Sequence, residues 1–354
     1  METKILDANI EKSIELCADV IKSGGLIGVP TETVYGLGAN ALSSDAVMKI
    51  FTTKGRQPDN PLIVHVASPS DVGLVVREIP AVFEILTKTF WPGPLTLVMK
   101  KTDAVPDSVS AGLDTVAVRM PEHPVMLRLI EKSGVPIAAP SANISGSPSP
   151  TKAQHVFNDL FGKIPYVLDG GDCRIGVEST VVDITGDVAQ ILRPGGVTYE
   201  ELVKVLGAVE VFAPLNSSDV TAPRSPGMKY RHYSPKAPVI AVVGPAEKSA
   251  EFIRTNIVGG CKCANHSEID TRLAENPKKI AALMFDDYSF DNPAVVCFGA
   301  CSDHKAQAAN LFDSLRRLDS LDYNVILAQV PEQKGLGLAV ANRILKAATV
   351  VENV

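Results

Sequence analysis

The sequence predicts a mixed α/β protein with two domains: a larger one built on a twisted mixed sheet with helices, and a smaller C-terminal Rossmann-like α/β domain. Three observations support this prediction. The chain has 354 residues, a length that favours two domains over one. Strand-like and helix-like patterns alternate almost throughout. Regular periodicity stops after Phe212 and resumes at about residue 238.

The first domain alternates helical patterns with short apolar runs. Residues 10–21 carry apolar side chains at helical spacing, and a Gly-Gly pair at 24–25 ends this helix. Further helices are predicted near 44–54, 80–90, 124–133 and 151–161, and TYEEL at 198–202 opens another with a capping box. The strand-like runs are LIGVP, PLIVHVA, LTLVMK, TVAVRMP, VPIAAP, YVLDGG, STVVDIT and QILRPG. Since some adjacent strands have antiparallel connections, we expect a mixed sheet.

The C-terminal third alternates strand and helix patterns from PVIAVVG onward. The strand-like runs KKIAALMF, AVVCFG and NVILAQV alternate with helices that include one around 304–319 and one from about 336. This order is typical of a doubly wound parallel sheet. We therefore predict a first domain at 1–212, a linker or lid at 213–237 and a Rossmann-like domain at 238–354.

Composition argues against several classes of protein. The net charge is −6 and the sequence pI is about 5.6, so no overall positive field attracts nucleic acid or anionic membrane. The longest apolar runs have the length of strands, and METKILDANIEKS lacks the apolar segment of a signal peptide. We expect a cytoplasmic protein without membrane association.

The six cysteines do not match a metal site. The pairs Cys261/Cys263 and Cys297/Cys301 lack the two-residue spacing of common zinc sites, and no histidine stands at the usual distance. We therefore expect no metal-binding cluster and reduced thiols near strand ends.

Polar clusters in the first domain occur at the ends of strand-like runs. They are PTETVYGLGANA (30–41), KGRQPDNPL (54–62), RMPEHP (119–124), PSANISGSPSPT (140–151), GVEST (176–180) and LRPGG (192–196). Ligands of open α/β sheets gather at strand ends, so we expect these loops to converge on one site.

Common nucleotide-binding motifs do not account for these clusters. Gly36-x-Gly38-x-x-Ala41 stands too far from the preceding strand for a dinucleotide turn, and the chain has no P-loop sequence. Lys54 and Arg56 precede a rigid Pro/Asn turn and suit phosphate contacts. Each cluster alone also has a structural explanation, as a capped turn, a helix C-terminus or solvated surface.

Taken together and in order, the motifs resemble the YrdC-domain family. The matching segments are GGLIGVPTETVYGLGANA, KGRQPDNPLIVHV, WPGPLTLVM, TVAVRMP, PSANISGSPSPT, GVESTVVDI and ILRPGG. SPGMKYRHYSPKAP and GLGLAVANRILKAA resemble the longer members, which carry an additional C-terminal domain. The resemblance implies an L-threonylcarbamoyladenylate synthase. Such an enzyme makes threonylcarbamoyl-AMP and pyrophosphate from L-threonine, bicarbonate or CO2, and ATP, for threonylcarbamoyladenosine in tRNA.

The resemblance also implies roles for individual residues. Lys54 and Arg56 would act in catalysis, and Thr33, His65, Arg119 and Ser179 would bind L-threonine. ATP would be bound by Arg56, Asn60, Thr115, Ala139, Ser141, Asn143, Ser149, Arg193 and His232. A lid over the nucleotide would contain Tyr230, Arg231, His232 and Tyr233. Mg²⁺ would arrive on the ATP phosphates, and the tRNA-modifying transfer machinery would receive the product.

The residues suit this chemistry, in which the amine of threonine captures CO2 and the carbamate oxygen attacks the α-phosphate of ATP. Such a reaction needs positioning and charge neutralisation more than an acid–base pair. Two alternatives remain: a double-stranded RNA- or tRNA-binding module without catalysis, and a carbamoyltransferase of the hydrogenase-maturation type. The acidic pI argues against the first. The absence of Cys-x-x-Cys pairs argues against the second.

Overall fold

The structure is a computed structural model that describes residues 2–212, 232–259, 279–321 and 323–354. The chain forms two compact units. One contains the described residues of Met1–Ser145 and Ser149–Tyr230, and the other contains those of Gly146–Pro148 and Arg231–Val354. Most of the predicted linker, Tyr230 and Arg231 of the predicted lid, and the cysteine pair Cys261/Cys263 lie outside the described residues.

The first unit is built on a mixed sheet. Its strands are β1 (Lys4–Asp7), β2 (Ile27–Val29), β3 (Gly36–Asn40), β4 (Ile63–His65), β5 (Leu95–Lys100), β6 (Thr115–Arg119), β7 (Ile137–Ala138), β8 (Tyr166–Asp169), β9 (Thr180–Asp183), β10 (Ala189–Arg193) and β11 (Val209–Val211). The spatial order is β1-β8-β2-β3-β7-β4-β6-β5-β9-β10-β11. The pair β4/β6 is parallel, whereas β5/β6 and β9/β10 are antiparallel, which confirms the predicted mixed sheet.

Helices connect these strands and bury one face each. They are α1 (Glu11–Lys22), α2 (Ser44–Lys54), α3 (Val82–Phe90), α4 (Asp107–Ser110), α5 (Pro124–Ser133), α6 (Ala153–Leu160) and α7 (Tyr199–Leu206), with a 3-10 helix at Pro69–Leu74. The predicted face of α1 is buried except at Ile10, which precedes the helix as its N-cap and is 54% exposed. The predicted capping box of α7 is present, with Thr198 and Glu201 bonded reciprocally.

The second unit has the parallel sheet that its sequence predicts. Its strands are β12 (Val239–Val243), β13 (Ile280–Met284), β14 (Val295–Cys297), β15 (Val325–Gln329) and β16 (Ala348–Asn353). They lie in the order β14-β13-β15-β12-β16 with every pair parallel. The helices are α8 (Ala246–Gly259), α9 (His304–Ser320) and α10 (Leu336–Ala347), with a 3-10 helix at Asp286–Tyr288.

Tyr233 is part of the core of this second unit. Its side chain is 6% exposed, and its ring lies 5.3 Å from that of Phe312. The guanidinium carbon of Arg343, a fully buried residue, lies 5.4 Å from the centre of the same ring. Tyr233 therefore stabilises the second unit, whatever further role the lid segment has.

The described residues contain neither a helix that could span a membrane nor a cluster that could hold a metal ion. Within these ranges, the helices are too short or too polar to cross a bilayer. The described residues also contain no group of three or more His, Cys, Asp or Glu side chains placed to hold a metal ion. The four described cysteines are free thiols, and Cys17 and Cys173 are buried.

Candidate active site

Arg119 is the buried centre of a polar cluster in the first unit. It ends β6 and is 3% exposed. Its Nε donates to the carbonyl of Gly93 at 3.1 Å, and its Nη1 donates to the hydroxyl of Thr33 at 2.9 Å. Its Nη2 lies 2.6 Å from Oε1 of Glu32, whose side chain is equally buried. These contacts hold the guanidinium plane in one orientation and compensate its buried charge.

Strand pairing places His65 beside Arg119. The two residues stand in register at the ends of the parallel strands β4 and β6. Burial and the Arg119 charge lower the pKa of His65 to about 3, so the imidazole is neutral at physiological pH. Its Nδ1 lies 3.3 Å from the carbonyl of Ile137, which can only accept. This contact assigns the proton to Nδ1 and leaves Nε2 as a hydrogen-bond acceptor.

Ser179 immediately precedes β9 and contacts a second arginine. Arg193, at the end of β10, donates to the carbonyl of Ser179 from Nε at 3.2 Å and from Nη2 at 3.0 Å. Its Nη2 also donates to the Ser179 hydroxyl at 3.2 Å, and the Thr96 hydroxyl lies 2.8 Å from the same oxygen. The backbone at Gly195 lies close to that at Glu178. A Cβ on Gly195 would lie 2.3 Å from the carbonyl oxygen of Glu178, so only glycine allows the two segments to come this close.

Lys54 connects the loop at 54–62 to the loop at 140–151. It ends α2, is 2% exposed, and donates from Nζ to the carbonyls of Ser141 and Asn143 at 2.5 Å each. The Ser145 amide returns a hydrogen bond to the Lys54 carbonyl at 2.9 Å. The Ser141 hydroxyl donates to the Asn143 side chain at 2.5 Å. The ammonium of Lys54 therefore holds the backbone that presents Ser141 and Asn143.

Arg56 and Asn60 belong to the rigid turn that follows α2. Arg56 is half-buried and donates from Nη2 to the carbonyls of Asn60 and Pro61 at 3.2 and 3.3 Å. The Asn60 side chain is 1% exposed. Among the other predicted residues, the Ala139 amide donates to the Ile63 carbonyl at 3.0 Å, and Thr115 is the first residue of β6.

The structure joins some predicted site residues through residues that the sequence analysis missed. Ser149 donates from its hydroxyl to Glu178 at 2.6 Å, and Glu178 precedes Ser179 in the chain. Glu32 precedes Thr33 and pairs with Arg119. Position next to a predicted site residue was the only available signal for either carboxylate, because burial and pairing depend on distant segments. His232 and Tyr233 belong to the second unit.

We predict that His65 makes stability fall in acid. An unfolded histidine titrates near 6.5, whereas His65 stays neutral down to a pKa of about 3. Below pH 6.5 the unfolded chain therefore binds a proton that the folded chain does not, and the folded state loses stability until pH 3. Thermal unfolding followed by circular dichroism should show a steeper loss of Tm across this window in the wild type than in His65→Asn. Parallel curves would contradict the prediction.

Comparison with known proteins identifies the family of both units. A family model described as telomere recombination matches residues 19–195, and one described as the C-terminal domain of threonylcarbamoyl-AMP synthase matches 197–349. Threonylcarbamoyl-AMP synthase from Pyrococcus abyssi is 48% identical over 337 residues, which cover 95% of this chain and 94% of that protein. The Bacillus subtilis enzyme of the same name is 43% identical over 343 residues, covering 96% and 93%.

Solved structures agree with the sequence relatives. A crystal structure of P. abyssi Sua5 complexed with L-threonine aligns with a TM-score of 0.87 at 46% identity and covers 100% of both chains. A P. abyssi Sua5 variant with an adjacent histidine and tyrosine changed to alanine aligns with a TM-score of 0.88 at 46% identity, covering 99% of this chain and 98% of the other. This chain therefore belongs to the threonylcarbamoyl-AMP synthase family, enzymes that use ATP in adenylyl transfer.

Proposed function

We propose that the Arg119 cluster binds L-threonine and that the loops around Lys54 bind ATP, so that the first unit carries out the family's synthase reaction. The observation that carries this proposal is the buried guanidinium of Arg119 next to the Thr33 hydroxyl at 2.9 Å. Its hydrogen bonds from Nε and Nη1 commit two of the five N–H donors of an arginine, and its Nη2 contacts Glu32 as an ion pair without a hydrogen bond. N–H donors on Nη1 and Nη2 remain for the two oxygens of an amino-acid carboxylate.

The neighbouring side chains suit the rest of the threonine molecule. The neutral His65 offers Nε2 as an acceptor for the threonine hydroxyl. The Thr33 and Ser179 hydroxyls can donate or accept, so they complete a polar pocket without adding charge. A protein of 46% identity has been crystallised with L-threonine, which supports the same ligand here.

The residues that we assign to ATP supply positive charge and neutral hydrogen-bonding groups. Arg56 and Arg193 would contact phosphates, while Asn60, Ser141 and Asn143 would bind phosphate or base through amide and hydroxyl groups. We assign Thr115, the Ala139 backbone and Ser149 to the same nucleotide. Lys54 differs from these residues because its ammonium bonds two backbone carbonyls, so we infer that it acts by positioning Ser141 and Asn143.

The proposed reaction needs charge neutralisation at two stages. The amine of threonine attacks the carbon of CO2, supplied as such or from bicarbonate, and loses a proton to give an N-carboxylate. A carboxylate oxygen of this carbamate then attacks the α-phosphorus of ATP, and the bond to pyrophosphate breaks. Arg56 and Arg193 would stabilise the charge that builds up on the phosphate oxygens.

Mg²⁺ fits this proposal as an ion that enters with ATP. It prefers oxygen ligands, keeps several waters and often binds through substrate phosphates. The hydroxyl and amide oxygens assigned to the nucleotide are compatible with such an ion. We further propose that the product passes to the tRNA-modifying machinery, as the resemblance implies, and that the enzyme acts in the cytoplasm.

We expect pyrophosphate release from ATP that requires both L-threonine and bicarbonate. A coupled pyrophosphate assay with each substrate omitted in turn measures this requirement. Release of inorganic phosphate, or turnover without threonine, would contradict the proposal. Turnover of carbamoyl phosphate would favour the carbamoyltransferase alternative, and salt-dependent tRNA binding without ATP turnover would favour the RNA-binding module.

We expect Arg56→Ala to lower turnover roughly tenfold or more, because a charge-assisted hydrogen bond is worth about 1.5–3 kcal/mol. The Tm should change little, since Arg56 is half-buried and its described bonds go to backbone carbonyls of the same turn. Steady-state kinetics and thermal unfolding measure the two effects. Arg77→Ala, at an exposed arginine paired with Glu78, serves as the matched control. Unaltered kinetics with a lowered Tm would show that Arg56 is structural.

The lid requires a test that spares Tyr233. Replacing that residue by serine would remove packing against Phe312 and Arg343 and lower the stability of the second unit. His232 is the better probe, and His232–Tyr233 is the single His-Tyr pair of this sequence. We expect His232→Ala to keep the wild-type Tm and to lose most threonine-dependent pyrophosphate release, whereas Tyr233→Phe should retain both. If His232→Ala keeps wild-type turnover, the predicted lid acts only as a linker between the two domains.

A further inference from the structure

Glu32 is a buried carboxylate to which neither the sequence analysis nor the proposed reaction assigns a role. Its side chain is 3% exposed, and its Oε1 lies 2.6 Å from Nη2 of Arg119. Both of its carboxylate oxygens are buried, and neither accepts a hydrogen bond from the part of the chain that the structure describes, so Glu32 contacts Arg119 as an ion pair only. Burying an anion is costly unless a cation compensates it. Arg119 supplies that compensation, so the two charges cancel inside the protein.

Three further titratable groups interact with the charges of this pair, and all three are neutral. Burial and Arg119 keep the His65 imidazole uncharged. Burial lowers the pKa of His123, against the opposing effect of Glu32. Burial, reinforced by the Glu32 charge, raises the pKa of the Cys173 thiol. The charged side chains of the Arg119 cluster itself are therefore one cation, Arg119, and one anion, Glu32.

We propose that Glu32 makes the threonine pocket selective for a zwitterionic amino acid over the corresponding anion that lacks the amino group. The proposal rests on the proposed function, which assigns the substrate carboxylate to Arg119. The Glu32 and Arg119 charges oppose each other, so an incoming anion meets repulsion from Glu32 as well as attraction to Arg119. A zwitterion carries an ammonium that Glu32 attracts, and the low dielectric of a buried site strengthens both effects.

This electrostatic role predicts that removing the Glu32 charge changes the affinities for two ligands in opposite directions. Glu32 also helps to orient Arg119, together with Thr33 and Gly93, and loss of orientation alone would weaken every carboxylate ligand equally. Removal of the Glu32 charge should instead weaken L-threonine and strengthen an anion of the same shape. The ratio of the two affinities therefore separates specificity from positioning.

The test compares the full-length wild type with Glu32→Gln by isothermal titration calorimetry. The two ligands are L-threonine and (R)-3-hydroxybutyrate, which keeps the carboxylate and hydroxyl but lacks the amino group. We expect the wild type to prefer L-threonine, and Glu32→Gln to shift the affinity ratio toward the anion by about tenfold or more, since close charges interact strongly in a buried site. Glu122→Gln removes an exposed carboxylate paired with Arg174 and should leave the ratio unchanged.

Each outcome supports or overturns the inference. An equal loss of affinity for both ligands, or no change in either, would overturn it. If Glu32→Gln does not fold, the affinities of the wild type for the two ligands test the inference. Equal affinity for threonine and hydroxybutyrate would exclude selection for a zwitterion. Arg119→Gln tests the underlying assignment: undiminished threonine binding in that variant would refute the proposed function, whereas its loss together with an unshifted Glu32→Gln ratio would refute only this inference.

Discussion

Arg119 is 3% exposed, so its charge has to be compensated and its donors satisfied inside the first unit, and the contacts of the candidate site follow from this demand. The Gly93 carbonyl, the Thr33 hydroxyl and the Glu32 carboxylate come from two loops that are far apart in the chain. They can meet only because β6 lies inside the sheet, between β4 and β5. The cluster combines one buried cation and one buried anion with neutral hydroxyl and imidazole groups.

The mixed directions of the strands bring Ser179 and Arg193 into the same region. Because β9 runs antiparallel to β10, the start of one strand lies beside the end of the other. Arg193 thereby donates twice to the Ser179 carbonyl. A wholly parallel sheet would place these two residues at opposite edges. The mixed sheet therefore places Ser179, which we propose binds threonine, beside Arg193, which we propose binds the nucleotide.

Buried cations play two different roles in this unit. Arg119 has N–H donors beyond its described contacts, which suits a group that binds a ligand. Lys54 is as deeply buried, yet its ammonium donates to two backbone carbonyls and thereby fixes the loop that follows β7. A lysine has three donors in all, so two such bonds leave little capacity for direct phosphate contact. The lysine thus holds Ser141 and Asn143 in place, the residues that we propose bind the nucleotide.

Local patterns in the sequence determined most of the elements: the α2 helix, the capping box of Thr198 and Glu201, and the βα alternation of the second unit. The strand-end motifs also indicated Arg119 and His65 as site residues, since their order matched a known family. Only the tertiary structure decided that Glu32 pairs with Arg119, that Lys54 bonds two carbonyls, and that Tyr233 is a core residue. The physical reason is range: capping and periodicity act within a few residues, whereas the pairing and burial of a charge depend on segments that only the folded chain brings together.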